Sequence, residues 1–260
     1  MRCLIAIMDY SDYLKFLHSL EFFRRYKQRS FELLRLHDAL SILDVGCGLG
    51  EDVLAMATRV RPRGKVTGID ESRSFLEQAR ARLSDQDDNI EFVLGDALHL
   101  PYEEATFDRC RVDRTLLHLS DPARALSGMA RVLRRGGWML AFDADWETLT
   151  FSSRNRERAR RVAHLLCDTW PSGWIGRYLY GYFKACGLID IEVHPQTLVI
   201  TELELADKVF DLYWSINRAR EINLISSAEA NELFEELRGC DEAGTFFCSY
   251  TGFMVVGQKP

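Results

Sequence analysis

Short apolar runs at 41–45, 65–69, 90–94, 107–112 and 138–143 alternate with turns and with helix-period segments at 51–60, 72–83 and 122–133. Such runs cannot be amphipathic hairpins: they are apolar on both faces, and helical lengths separate most of them. The arrangement that buries both faces is a mostly parallel sheet with helices on either side, a doubly wound α/β fold. The turns carry the expected chemistry, glycine at 46, 48 and 50, Pro62 to Gly64, Gly95-Asp96 and Arg135-Gly136-Gly137. With 260 residues and 47% hydrophobic content the chain can bury a large core without disulfide or metal staples.

The flanks differ from this central unit. Residues 8–38 show helical periodicity, and residues 1–7 read as dispensable. After Asp145 the alternation stops. An Arg-rich helix is predicted over 155–170, an aromatic stretch follows to Gly187, and strands at 191–200 and 246–256 bracket a helical insertion at about 202–238. No repeat or linker divides the chain. It reads as one domain, 1–260, with an N-terminal cover at 8–38, a ligand-binding core at 40–145 and substrate-side elements at 146–260.

The first strand hands over to its helix through Asp44-Val45-Gly46-Cys47-Gly48-Leu49-Gly50. Glycines there allow a tight turn and close approach of a ligand to backbone N–H groups, and the helix start favours an anion. Asp70 ends the second strand, where a carboxylate can take the two hydroxyls of a ribose. Asp96 ends the third and is placed to accept from an amino group such as that of adenine. The GxGxG spacing departs from the GxGxxG of dinucleotide sites, which argues against a pyrophosphate.

The segments LDVGCGLGEDV, VTGIDES, EFVLGDALHLPYEEATFD and RVLRRGGWML resemble the successive motifs of class I S-adenosylmethionine-dependent methyltransferases, most of all the ubiquinone- and menaquinone-biosynthesis branch. The resemblance is strong over about 40–145 and general elsewhere. It implies a seven-stranded, mostly parallel sheet with an antiparallel last strand, and S-adenosyl-L-methionine as cofactor with S-adenosyl-L-homocysteine as product. It assigns Asp44 and Gly46 to the methionine part, Asp70 to the ribose, and Asp96 with the Ala97 backbone to the adenine, with Cys47, Gly48 and Glu71 as further cofactor-binding residues. Asp113 falls in the stretch after strand four that lines the methionine and the substrate entrance.

Methyl transfer is an in-line displacement in which positioning carries much of the catalysis, and a base is needed only for a protonated nucleophile. Candidate bases therefore follow strands four and five: His118 in Val112–Leu119, and Asp145 in Asp143-Ala144-Asp145-Trp146. Arg111 reads as a charge pair at its strand end. Six aromatics crowd residues 170–183, and Gly173 to Arg177 reads as a loop. Tyr13, Trp146, Trp174, Arg177, Tyr178 and Trp214 are the expected walls of a substrate chamber suited to a flat, apolar molecule. Helices bearing Tyr13 and Trp214 and the loop at Trp174 are expected to form a mobile cover.

Other function classes fit poorly. A net charge of −6 argues against a nucleic-acid binder, and the basic run at 154–161, interrupted by Glu157, reads as a solvated helix face. Seven scattered cysteines without a CxxC pair indicate reduced thiols and no zinc site, and the histidines share no ligand spacing. No segment reaches the ~20 apolar residues of a membrane span and no signal-peptide core is present, so a cytoplasmic monomer or homodimer is expected. The reading is methylation of a small organic molecule at oxygen or carbon. The alternatives are cofactor-dependent chemistry without methyl transfer, such as cyclisation, and a non-catalytic cofactor-binding partner.

Overall fold

The computed structural model of the chain describes residues 9–37 and 40–260, so the reading of residues 1–7 lies outside the described residues. Two helices open it, α1 (Tyr10–Ser19) and α2 (Glu21–Leu33). The single helix expected over 8–38 is broken at Leu20, whose ψ of 138° is extended. Asp9 caps α1 by accepting from the Ser11 N–H at 2.8 Å, so its start is set by the sequence itself.

The alternating unit then runs β1 (Ser41–Val45), α3 (Glu51–Val60), β2 (Lys65–Asp70), α4 (Arg73–Arg80), β3 (Ile90–Leu94), β4 (Phe107–Asp113), α5 (Pro122–Val132) and β5 (Leu133–Phe151). Asp121 caps α5 and Pro122 takes its first turn, where the missing N–H costs nothing. Beyond it lie α6 (Arg156–Asp168), α7 (Ile175–Ala185), β6 (Ile189–Ile200), α8 (Leu203–Phe210), α9 (Leu212–Glu221), α10 (Ser227–Glu242) and β7 (Cys248–Gln258).

The strands form one seven-stranded sheet in the order β3-β2-β1-β4-β5-β7-β6. β1 to β5 run parallel, and β7 is inserted antiparallel between β5 and β6. The expected α/β class, doubly wound sheet and antiparallel last strand are all present. Ile42, Leu43 and Val45 have no exposed surface, as strands covered on both faces require.

One local expectation is corrected and another is refined. β5 extends to Phe151, so Ala144 to Trp146 belong to the strand rather than following its end at Asp143. Pairing with β7 continues through Asp145 and resumes at Thr150, and this neighbour keeps the chain extended. The insertion at 202–238 is three helices, with Asp211 in the left-handed region (φ 55°) at the corner between α8 and α9. Chain order reverses between β1 and β4, the position at which doubly wound sheets open a cleft beyond their strand ends.

Candidate active site

A cavity of about 400 Å³ occupies that position. Its floor is the glycine loop. Gly46 and Cys47 donate their N–H groups to the Ile69 carbonyl at 2.8 and 3.1 Å, folding the loop back over β2. Gly46 has φ +71°, and a Cβ there would lie 2.1 Å from the Thr115 hydroxyl oxygen. Gly48 (φ +53°) opens instead onto the cleft: a Cβ would meet only the Leu14 side chain, at 3.9 Å. The loop is thus packed from below and free above, a cradle that a side chain would fill.

Around the loop, Asp70 accepts from the Gly48 and Ser72 N–H groups at 2.8 and 2.9 Å, which fixes its carboxylate at the cleft edge with lone pairs to spare. Glu71, Asp96 and Ala97 line the same edge. Asp96 is bonded to the Leu98 N–H and to His99, and the His99 bond chiefly holds its carboxyl below the usual range. These positions suit a nucleoside: a fixed carboxylate for the ribose hydroxyls and a half-exposed acceptor further out.

Beneath the loop lies a buried ion cluster. Arg111, 1% exposed, bonds Asp44 at 3.0 Å, Asp52 at 3.0 Å and Asp113 at 2.6 Å. Lys27 of α2 bonds Asp52 at 2.6 Å, and the Tyr26 hydroxyl donates to Asp113 at 3.1 Å. Burial pushes the Asp44 carboxyl up to about 6, against the pull of Arg111. Burial acts on Asp52 too, but Lys27 and Arg111 overcome it and hold the group below the ordinary range. Arg111 is thus a strand-end charge pair, as its sequence context suggests, and through Lys27 it also ties α2 to the site. Burial also raises the Cys47 thiol, which keeps it protonated.

The far half of the cavity is aromatic. Tyr10, Tyr13, Trp146, Trp170, Phe210 and Tyr250 line it. Trp146 stacks on Tyr250 at 5.4 Å and on Trp170 at 5.7 Å, and Phe210 meets Tyr250 edge-on at 5.1 Å. The Tyr13 hydroxyl donates to the Val209 carbonyl at 2.9 Å, closing α1 against α8 across the opening. His118, in a single 3₁₀ turn at Leu116–His118, sits edge-on to Trp170 at 5.0 Å. Burial, then Arg114, lowers its pKa to about 4, so the imidazole is neutral near pH 7.

The structure therefore gathers Asp44, Gly46, Cys47, Gly48, Asp70, Glu71, Asp96, Ala97, Asp113, His118, Tyr13 and Trp146 around one cavity. It leaves out Asp145, Trp174, Arg177, Tyr178 and Trp214. Residues 175–185 form a helix, so the aromatic stretch obeys a helical period: Ile175, Leu179 and Phe183 face the sheet, and Trp174 and Tyr178 stay 42% and 48% exposed. Gly176 allows this approach, since a Cβ there would lie 2.9 Å from the Ala144–Asp145 backbone. Asp145, 2% exposed, is held by Arg177 Nε and Nη2 at 2.5 and 2.8 Å while Nη1 bonds Glu147, which occupies the carboxylate and the guanidinium alike. Trp214 lies on α9, whose buried residues are Leu212, Ser215, Ile216 and Ala219, and it is outside the cavity wall.

Among the lining residues that sequence reasoning missed, three bear on the chemistry. Asp143 accepts from the Leu117 and Ala144 N–H groups at 3.1 and 3.0 Å, and burial pushes its carboxyl up to about 7. A lone acid amid the apolar Met139–Ala144 run was the available signal. Arg114 adopts the left-handed region (φ 51°) at the end of β4, and Tyr250 comes from β7, far away in sequence. Among the described residues no group of three or more His, Cys, Asp or Glu is placed to hold a metal, and no helix is long and apolar enough to cross a membrane.

Comparison with known proteins agrees with this geometry. A methyltransferase-domain family model matches residues 36–180. The chain is 34% identical over 254 residues, 97% of its length and 72% of the relative's, to an uncharacterized 37.1 kDa protein in transposon TN4556 of Streptomyces fradiae. It is 31% identical over 120 residues to the demethylmenaquinone methyltransferase of Listeria monocytogenes, which is 46% of this chain and about half (51%) of that enzyme. The YcgJ protein of Bacillus subtilis shares the fold, with a TM-score of 0.61 at 20% identity over 91% of this chain and 98% of that one. The chain belongs to the class I S-adenosylmethionine-dependent methyltransferases.

Proposed function

We propose that the protein binds S-adenosylmethionine in the polar half of the cleft and methylates oxygen or carbon of a small, flat, apolar or aromatic molecule held in the other half. The observation that carries this is continuity. The strand-end acids and the aromatic chamber are two parts of one cavity, so a cofactor and an acceptor can lie end to end. When bound, the cofactor supplies a methyl group already activated on a sulfonium.

The chain's residues would then divide the work. Asp44 and the 46–48 loop hold the methionine part, Asp70 and Glu71 the ribose, and Asp96 and Ala97 the adenine. Asp113 closes the methionine end. Tyr13, Trp146, Phe210 and Tyr250 press on a planar acceptor and exclude water. Neutral His118 is positioned to receive a proton, and Asp143, at about 7, is the second acceptor on the wall. α1 and α8 form the cover, latched by the Tyr13 hydroxyl on Val209. The residues needed for this reading all come from one chain.

The test is incubation with cofactor labelled in its methyl group and a panel of phenols, enols and quinols, read by mass spectrometry. Labelled methyl in a product is the expected result. Conversion of a panel compound without label would replace methyl transfer with another chemistry.

A further inference from the structure

The ion cluster under the glycine loop contains three carboxylates, Asp44, Asp52 and Asp113, and two cations bonded to them, Lys27 and Arg111. The third cation, Arg114, is treated differently. Its Nε stands 3.6 Å from Asp113, beyond hydrogen-bond distance, and its guanidinium lies 5.0 Å over the Phe23 ring. Nε is buried without a partner, and no nitrogen of the side chain hydrogen-bonds to any described group. Arginine cannot shed its proton, so a guanidinium whose contacts are one long ion pair and an aromatic face keeps N–H donors unused.

A second polar group shares this condition. Tyr250 is 4% exposed and lines the cavity, yet its hydroxyl bonds to no described residue. By contrast the hydroxyls of Tyr13 and Tyr26 are committed to Val209 and Asp113. Asp143 on β5, held by two backbone N–H groups, and His118, beside Trp170, complete the titratable surroundings; both feel the Arg114 charge. Burial holds the Tyr250 phenol protonated, and so a donor.

Resting on the methyl-transfer reading, we propose that Arg114 and Tyr250 together bind the acceptor as an aryl or enol oxyanion, making the anionic form of an acidic hydroxyl the species that the chamber selects. Two unused donors beside an apolar slot fit an oxygen that carries charge on a flat ring. The acceptor O–H bond breaks on binding and its proton passes to His118 or solvent, leaving the electron pair on oxygen. Arg114 and Tyr250 are thus specificity and positioning groups that lower the acidity barrier which His118, a weak base, could not cross alone.

The test uses 4-nitrophenol, whose anion absorbs visible light, and the protein saturated with S-adenosylhomocysteine. Wild type should bind the dye and shift its ionisation downward by about one pH unit. Arg114→Gln should abolish that shift and weaken binding of the anion about tenfold or more. Arg114→Lys should restore part of it, and Tyr250→Phe should lose an intermediate amount. Calorimetry with S-adenosylhomocysteine alone separates two sources of anion. Unchanged affinity in Arg114→Gln supports the acceptor role, whereas an equal loss there assigns the guanidinium to the cofactor's carboxylate and overturns the proposal. Dye bound in its neutral form, bound equally by the variants, or not bound by the loaded wild type would overturn it as well. If Arg114→Gln does not fold, Tyr250→Phe decides by the same readings. Failure of wild type to bind S-adenosylhomocysteine would remove the methyl-transfer reading and this proposal with it; binding without the dye effect removes only this one.

Discussion

The two halves of the cleft are built on opposite terms. At the nucleotide end the polar groups are committed: Asp70 to Gly48 and Ser72, Asp44 to Arg111, Asp52 to Lys27 and Arg111. At the acceptor end several are not. Among the described residues, Arg114 Nε, Asp211 Oδ2 and the indole nitrogens of Trp146 and Trp170 are buried without hydrogen-bond partners. A committed group stabilises the fold whether or not a ligand is present. An uncommitted one costs free energy until something meets it. The first half is thus a rigid frame, and the second holds unspent recognition.

The sharpest way to break this contrast is Arg111→Met. The arginine is fully enclosed and touches three carboxylates, so its loss leaves them buried against Lys27 and the more distant Arg114. A destabilisation of about 3–5 kcal/mol is expected by chemical denaturation. A loss below about 1 kcal/mol would show that the cluster is hydrated and that the frame is not rigid in the sense argued. Arg114→Met should cost far less, because no hydrogen bond is forfeited.

The contrast also explains what could be read from sequence. The nucleotide end is assembled from consecutive βα units, so each functional residue follows its own strand at a fixed offset: Gly46 after β1, Asp70 closing β2, Asp96 just past β3. Local order there is spatial order. The acceptor end draws Tyr13 from α1, Asp143 from β5, Phe210 from α8 and Tyr250 from β7. No local spacing records that convergence. Trp174 and Tyr178 stand outside the site because the i, i+4, i+8 pattern of Ile175, Leu179 and Phe183 makes this stretch a helix that turns them outward, whereas aromatic clustering alone suggests a loop over the site. Asp145 misled because its partner, Arg177, sits on that same helix.

A smaller effect tests the frame as a binding surface. Asp70→Ala removes the acceptor of two loop N–H groups as well as the group proposed to meet the ribose. Loss of a charged hydrogen-bond partner is worth about 1.5–3 kcal/mol, or roughly ten- to hundredfold in affinity for S-adenosylmethionine. Calorimetry on a folded variant checks it. Unchanged affinity would sink the nucleotide assignment, while a loss confined to stability would make Asp70 part of the scaffold only.

The smallest effect concerns Asp143, which belongs to both halves: its carboxylate is held by two N–H groups, yet it has no cation bonded to it. Burial raises its pKa from an ordinary 3.8 to about 7. The folded protein therefore binds an extra proton between those values. The stability this group contributes is fully present below about pH 4 and is lost as pH rises through about 7. In Asp143→Asn that dependence disappears. Urea denaturation between pH 5 and 8 should give wild type a downward slope amounting to roughly 1–2 kcal/mol in all, and the variant a flatter line. The comparison is one of slopes, because asparagine cannot accept from both N–H groups and shifts the whole curve. A positively charged ligand in the cleft favours the ionised carboxylate, so saturating S-adenosylmethionine should flatten the wild-type slope more than its neutral-sulfur product does. Parallel slopes in wild type and variant would mean that Asp143 is already ionised near pH 5, which would make it a scaffold acid like Asp52 and leave His118 as the proton acceptor.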